Sequence, residues 1–324
     1  MGWISPFKLN QLGMLNMNRR NVDYISRYNS RAFYPLVDNK LKTKLVVAEY
    51  DVPTPRLLQV VRQQHEISRF REIAADLKGF AIKPAKGSGG KGITVITGRD
   101  NEYYVKASGA RVNISYLERH LSNILAGLYS LAGTPDVAII ENIVESSPTL
   151  ARYSHQGVPD IRIIVFQGYP VMAMLRLATK DSDGKANLHQ GAVGVGLDIG
   201  TGRSLNAVQF NRSIILHPDT GLALENIAIE AWGEMLEMAA RCYEATGLGY
   251  MGVDLVVDAT EGPLLLELNA RPGLAIQMAN GRGLLPRLRT IESLKRPHFT
   301  PRERATFAMD AFSERWQPAR KQAT

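Results

Sequence analysis

Residues 79–97 read Gly79-Phe-Ala-Ile-Lys83-Pro-Ala-Lys86-Gly87-Ser88-Gly89-Gly90-Lys91-Gly92-Ile93-Thr-Val-Ile-Thr97. Phe80, Ala81 and Ile82 lead into Lys83 as a strand, and the β-branched run from Ile93 to Thr97 favours a second strand over a helix. Between them, Gly87 to Gly92 is a small, flexible loop with lysines on both sides. A loop without Cβ atoms lets its backbone N–H groups close on an anion. The stretch therefore predicts a phosphate cradle, with an ordinary glycine-rich hairpin as the plainer alternative. Gly87, Gly89 and Gly92 satisfy G-x-G-x-x-G, but the dinucleotide fingerprint needs a helix opening at the loop. The Walker phosphate loop needs Ser or Thr after its Gly-Lys, and Gly92 follows Gly90-Lys91 here. A protein kinase places its lysine strand after the glycine loop; Lys83 comes before it, and the kinase signatures are missing.

Working outward, 324 residues suffice for two or three packed subdomains. Hydrophobic content of 45% and charged content of 22% are those of a water-soluble chain. One cysteine, Cys242, excludes an internal disulfide and fits a reducing compartment. No stretch reaches the length of a membrane span or carries a signal-peptide core, so a cytoplasmic location is expected. Pro6 occupies the Ser/Thr position that a myristoylation start requires. The formal charge of +8 favours anionic partners such as nucleotides or acidic peptides. It is spread along the chain without a long basic run, which argues against nucleic acid as the primary partner. A homo-oligomer is compatible with this composition.

The remaining elements are read from pattern. Residues 1–38, with Trp3, Phe7, Leu12 and Leu15, predict one or two docked helices. Asn39 caps a helix running to Tyr50, with Leu41, Leu45, Val46 and Ala48 as its buried stripe. Residues 56–78 read as helix, and Glu102 to Lys106 as strand. Ser115-Tyr-Leu-Glu118 is a capping box for a helix to about residue 131, with His120 off the apolar stripe and on the surface. Val137 to Ile140 is a strand. Asp160 to Phe166 and Pro170 to Leu177 form a hairpin at Gln167-Gly168. Six glycines between 184 and 202 predict a mobile active-site loop over Thr179 to Gly202. Glu225 to Thr246 reads as a long helix. Met251 to Val257 and Leu264 to Asn269 are strands. The charged segment 286–324 is expected to be a peripheral tail with one short helix.

The second sharp signal is Glu267-Leu268-Asn269. Residues two apart on a strand share a face, so two hard oxygen donors stand together in an apolar run. Asp254 lies in a neighbouring apolar strand, where an unpaired carboxylate is unfavourable. Asp254, Glu267 and Asn269 suit Mg²⁺, and the same hard set suits Mn²⁺. Asp160 and Arg162 share a strand face. Arg176 joins them if the hairpin has a three-residue loop, and faces the other way if its turn has two residues. Asn187 and His189 sit in the glycine-rich segment, where His189 is a candidate base.

These motifs occur in an order that resembles the ATP-grasp superfamily, and within it the alpha-L-glutamate ligase-like, RimK-related proteins. Asn39-Lys40 and Val52-Pro53 resemble the opening element, with Asn39 in place of Asp and Asp51 in place of Gly. Lys83 with Gly87, Ser88, Gly90 and Gly92 resembles the second ATP lysine and phosphate loop, and Glu141-Asn142-Ile-Val144 the adenine hinge. Asp160-Ile-Arg162, Arg176, Asn187-Leu-His189 and Glu267-Leu-Asn269-Ala-Arg271 follow in order. The resemblance implies an α+β fold in which two subdomains clamp ATP between antiparallel sheets. The clamp would span 39–285, with a lid at about 75–145. About 38 residues precede Lys40, too few for the full α/β domain many members carry there. It further implies that Lys40, Lys83, Gly87, Ser88, Gly89, Gly90, Gly92, Glu141, Asn142, Val144, Asp160 and Asn187 bind ATP. Arg162 and Arg176 would stabilise the transferred phosphoryl group, Asp254, Glu267 and Asn269 would ligate Mg²⁺, and Arg271 and His189 would face the substrates. The implied reaction is ATP-dependent joining of a carboxylate to an amine, with glutamate or another amino acid as one reactant.

Overall fold

The computed structural model describes residues 6–87, 89–130 and 133–314; Ser88, Trp3 and the end of the C-terminal segment lie outside them. Two antiparallel sheets organise the chain. The first contains β1 (Leu57–Val61), β2 (Phe80–Pro84), β3 (Thr94–Asp100), β4 (Tyr103–Lys106), β5 (Arg111–Val112) and β6 (Ala138–Glu141), in the order β1-β6-β2-β3-β4-β5. Helices Ile67–Asp76 and Ile114–Leu125 cover it, and Phe70, Phe80, Leu117, Leu121 and Ile124 form its dry core. The second contains β7 (Asp160–Phe166), β8 (Tyr169–Leu177), β9 (Val193–Leu197), β10 (Ser204–Gln209), β11 (Arg212–Ile214), β12 (Tyr250–Asp258) and β13 (Gly262–Asn269), in the order β11-β10-β9-β8-β7-β12-β13. Every residue of β12 is buried, as befits a strand covered on both faces. No helix among the described residues is long and apolar enough to cross a membrane.

The helix Lys40–Ala48 joins the two sheets. Asn39 caps it by accepting from the Leu41 and Lys42 amides, as its side chain predicted. The Lys40 amide donates to Ala85 O at 2.8 Å, beside the glycine loop. Its buried residues are Leu41, Thr43 and Val47, and Leu45 is exposed, so the predicted stripe was rotated. The chain before it forms a series of short helical turns rather than one or two helices, and Leu15, Tyr24, Ile25 and Val37 enter the main core.

Five expectations are corrected. Residues 57–61 are strand β1, paired with β6, and the helix begins only at Ile67. The next helix is capped by Asn113, which accepts from the Tyr116 amide, and ends at Leu125, leaving Leu128 exposed. Val193–Leu197, expected within a mobile loop, is the buried interior strand β9. Gly196 is there because a Cβ would lie 2.4 Å from Ala279 O. The long helix starts at Trp232; the segment before it instead exchanges backbone bonds with Ser204 and Gly202. The region after 285 holds two helices, Leu285–Glu292 and Pro301–Phe312. Their Leu288, Ile291, Ala308 and Phe312 are core residues, so it is not peripheral where it is described.

Candidate functional site

The hairpin between β7 and β8 decides which side chains meet. Gln167 and Gly168 form a two-residue turn, both at positive φ, with Phe166 opposite Tyr169. Such a turn alone would place Arg176 on the face opposite Asp160. A bulge intervenes: Val165 pairs with Pro170 but Ile164 with Met172, so Val171 is one residue extra. Parity is restored, Asp160 lies opposite Arg176, and the two share a face. From there Met174, Arg162, Asp254 and Glu267 run straight across β8, β7, β12 and β13 as successive cross-strand partners.

On this face two arginines and two aspartates interlock. Arg162 donates to both oxygens of Asp254, Nε at 2.7 Å and Nη2 at 2.5 Å. Arg176 donates Nε to Asp160 and reaches Asp254 with Nη2 at 2.9 Å. Burial works against ionising Asp254, but the two guanidinium groups outweigh it and hold its carboxyl at about 2. Asp160 is pushed up to about 6, because burial outweighs its share of Arg176 and the Asp254 charge adds to the effect. Asn269 donates Nδ2 to Asp254 at 3.1 Å, which aims its carbonyl oxygen away from that carboxylate. Glu267 is 38% exposed at the side chain and has Lys40 Nζ 3.4 Å away.

A cavity of about 560 Å³ opens over this network. Gly89 and Gly90 of the glycine loop line one wall, Arg162, Arg176, Glu267 and Asn269 the other. Asp160, Asn187 and His189 also line it. Asn187 holds its segment by accepting from the His189 amide. A second, narrow cavity of about 20 Å³ shares Leu266 and Glu267 with the first, and Lys40, Lys44, Lys83 and Glu141 line it. Lys83 donates to the Glu141 carboxylate, and Lys44 stands 3.1 Å from its other oxygen. Burial favours the neutral form of Glu141, yet Lys83 and Lys44 hold its carboxyl below the usual glutamate range.

The glycine loop is anchored at both ends. Lys40 Nζ donates to Gly87 O at 2.6 Å, and Gly87 bridges to Ser130. At the other end His120 Nε2 is 2.9 Å from Gly92 O and 3.2 Å from Thr94 Oγ1. A carbonyl only accepts, so Nε2 carries the ring proton. Burial holds His120 below the usual histidine range, against the pull of Gly92 O. The surface position expected for His120 is therefore corrected: one face of its helix turns toward the loop hinge, away from water. Gly92, at φ +75°, packs so closely on the Tyr129 ring that a Cβ would fall 2.5 Å from it.

Not every candidate converges. Arg271 stacks over Tyr34, 5.3 Å from the ring centroid, and lines neither cavity. Asn142 and Val144 are half-buried beside Glu141 and line neither. Sequence reasoning missed Lys44 and His120. Lys44 lies one helical turn after Lys40, a spacing that puts both on one face and was open to recognition.

Both Asp254 oxygens are engaged by guanidinium groups. Glu267 and the Asn269 carbonyl remain toward the cavity, and among the described residues no group of three His, Cys, Asp or Glu side chains could hold an ion. A two-donor set fits Mg²⁺, which keeps most of its shell for water and phosphate oxygens.

Residues 19–293 match the family model described as sugar-transfer associated ATP-grasp, which bears out the ATP-grasp resemblance at the level of the superfamily. No curated protein sequence matches the chain. Among solved structures, D-cycloserine synthetase DcsG is 15% identical at a TM-score of 0.46, over 95% of this chain and 82% of that one. D-alanyl-alanine synthetase A from Vibrio cholerae is 11% identical at 0.47, over 86% and 66%. The ATP-grasp ligase PsnB is 15–17% identical at 0.37–0.44 in its several complexes; in the first, 81% of this chain covers 60% of PsnB at 16% identity.

Proposed function

The chain belongs to the sugar-transfer associated ATP-grasp family, and from that premise we propose that it is an ATP-dependent carboxylate–amine ligase. The observation that carries the reading is the pair of facing walls. The glycine loop stands across the larger cavity from Arg162, Arg176, Glu267 and Asn269, and Lys40 and Lys83 line the narrow cavity that shares Glu267 with it. One wall suits the phosphates of ATP and the other the charge that develops as the γ-phosphoryl group moves.

In this reading a substrate carboxylate oxygen takes the γ-phosphoryl group, ADP leaves, and an amine displaces phosphate from the acyl phosphate to form the amide. Arg162 and Arg176 are fixed by Asp254 and Asp160, and neither uses Nη1 in those pairs, so preset donors remain for the transferred group. Glu267 and Asn269, with Asp254 behind them, would hold Mg²⁺ or Mn²⁺, which neutralises phosphate charge. Lys40, Lys83, Gly87 to Gly92, Glu141, Asn142, Val144, Asp160 and Asn187 form the nucleotide side; His189, from the cavity, and Arg271, from outside it, serve the substrates. The RimK-related subtype, with glutamate as the added amino acid, is one form of the proposal. The family's association with sugar transfer favours a saccharide-borne carboxylate or amine as the other reactant.

The test is ADP release with Mg²⁺ over a panel of amino acids and peptides crossed with uronic acids and amino sugars. Turnover should require one carboxylate and one amine together. Glu267→Gln should lower it by about 100-fold or more. Phosphate label from the γ position should appear as free phosphate. Label retained on product would instead make the protein a small-molecule kinase, and ATP binding without ADP release anywhere would make it a non-catalytic nucleotide-binding protein.

A further inference from the structure

Three lysines enter the narrow cavity, and their hydrogen bonds separate them. Lys44 uses its ammonium group fully: Pro55 O at 2.6 Å, Thr54 Oγ1 at 3.1 Å and a Glu141 oxygen at 3.1 Å. Its side chain is 12% exposed. Two of the contacts lie on the adjacent residues Thr54 and Pro55 and the third on Glu141 of β6, so Lys44 is held between two segments. Among the described residues Lys83 has one hydrogen-bond partner, the other Glu141 oxygen, and two further N–H donors. Glu141 is buried, with its side chain 5% exposed. A buried carboxylate stripped of its only counter-charge is costly, which would chain Lys83 to it.

We propose that Lys44 is a positioning residue: it is the standing counter-charge of Glu141, and it frees Lys83 to leave that carboxylate for a nucleotide phosphate. Glu141 parks Lys83 in the cavity before the ligand arrives. When an anionic phosphate draws Lys83 away, Glu141 keeps one cation and stays ionised in place. Without Lys44, moving Lys83 would leave a buried, uncompensated carboxylate, and ATP would have to compete with Glu141 for the lysine. The inference rests on the ATP reading of the site.

The test is a four-corner comparison of Mg-ATP affinity by titration calorimetry: wild type, Lys44→Met, Glu141→Gln and the double variant. Lys44→Met should weaken binding at least tenfold. In the Glu141→Gln background, where no carboxylate needs a partner, the same change should cost less than threefold. A role confined to bracing Thr54 and Pro55 predicts equal losses in both backgrounds, and that result, or no loss from Lys44→Met, overturns the proposal. Should Lys44→Met unfold, Lys44→Gln, which keeps a donor for Pro55 O without the charge, carries the same comparison. Wild-type protein that binds no ATP would refute the nucleotide reading itself, a different result from wild-type binding with no background dependence.

Discussion

Asp254 accepts from two arginines, and this sets its response to pH. Its carboxyl is held at about 2 in the folded protein against an ordinary 3.8. A depressed value means stability that is present above 3.8 and is lost as pH falls toward 2. Denaturant unfolding of the wild type should therefore weaken through that window on account of this group. Asp254→Asn should remove this part of the acid loss, while being less stable at pH 7 because two buried guanidinium groups lose their shared anion. An unchanged slope between pH 4 and pH 2 in the variant would show that Asp254 is not the group responsible. Arg162, Arg176, Asp254, Glu267 and Asn269 were legible as residue types. That Asp254 orients the arginines was not, since pairing across β7, β8 and β12 is a tertiary fact.

At the scale of elements, the hairpin β2–β3 and the helix Ile114–Leu125 act together. The helix contributes His120, whose ring proton is given to Gly92 O at the hinge of the glycine loop. His120→Phe keeps the ring and removes the donor, so Gly92 O would lose its partner. Nucleotide affinity should fall roughly tenfold, the value of about 1.4 kcal/mol, within the range for one buried hydrogen bond. Amide exchange near Gly92 should quicken, with the rest of the first sheet unchanged; equal protection in both proteins would rule out the anchor. Other elements show where pattern misleads. Leu57 to Val61 reads as the start of a helix with Leu57, Leu58 and Val61 apolar, but pairing with β6 makes it a strand. The glycines of β9 read as a loop, yet Gly194 and Gly196 sit against the Leu188 side chain and the Ala279 backbone, leaving no room for a Cβ.

At the scale of the molecule, each sheet has its own core, and a small cluster of Leu41, Ala85 and Ile139 lies where the helix Lys40–Ala48 packs on the first sheet. A ligand seated between the sheets should stabilise the folded state by mass action. Mg-ATP at 100 times its dissociation constant should add about 2.7 kcal/mol, read as a rise in the thermal midpoint. The rise should be smaller for Glu267→Gln, and no rise in the wild type would argue against a nucleotide seat there. The antiparallel, two-subdomain class followed from the resemblance carried by the ordered motifs, while the residues themselves set the strand–glycine loop–strand unit, the Asn39 cap and the paired donors of β13. Those three features are local: they follow from backbone freedom, side-chain period and capping chemistry within a few residues. Only the tertiary structure decided the rest. The bulge at Val171 turned Arg176 onto the face of Asp160, and burial drew His120 inward to the loop. Packing of Lys40–Ala48 against both sheets brought Lys44 to Glu141. Register and burial are set by partners far along the chain, where no local pattern reaches.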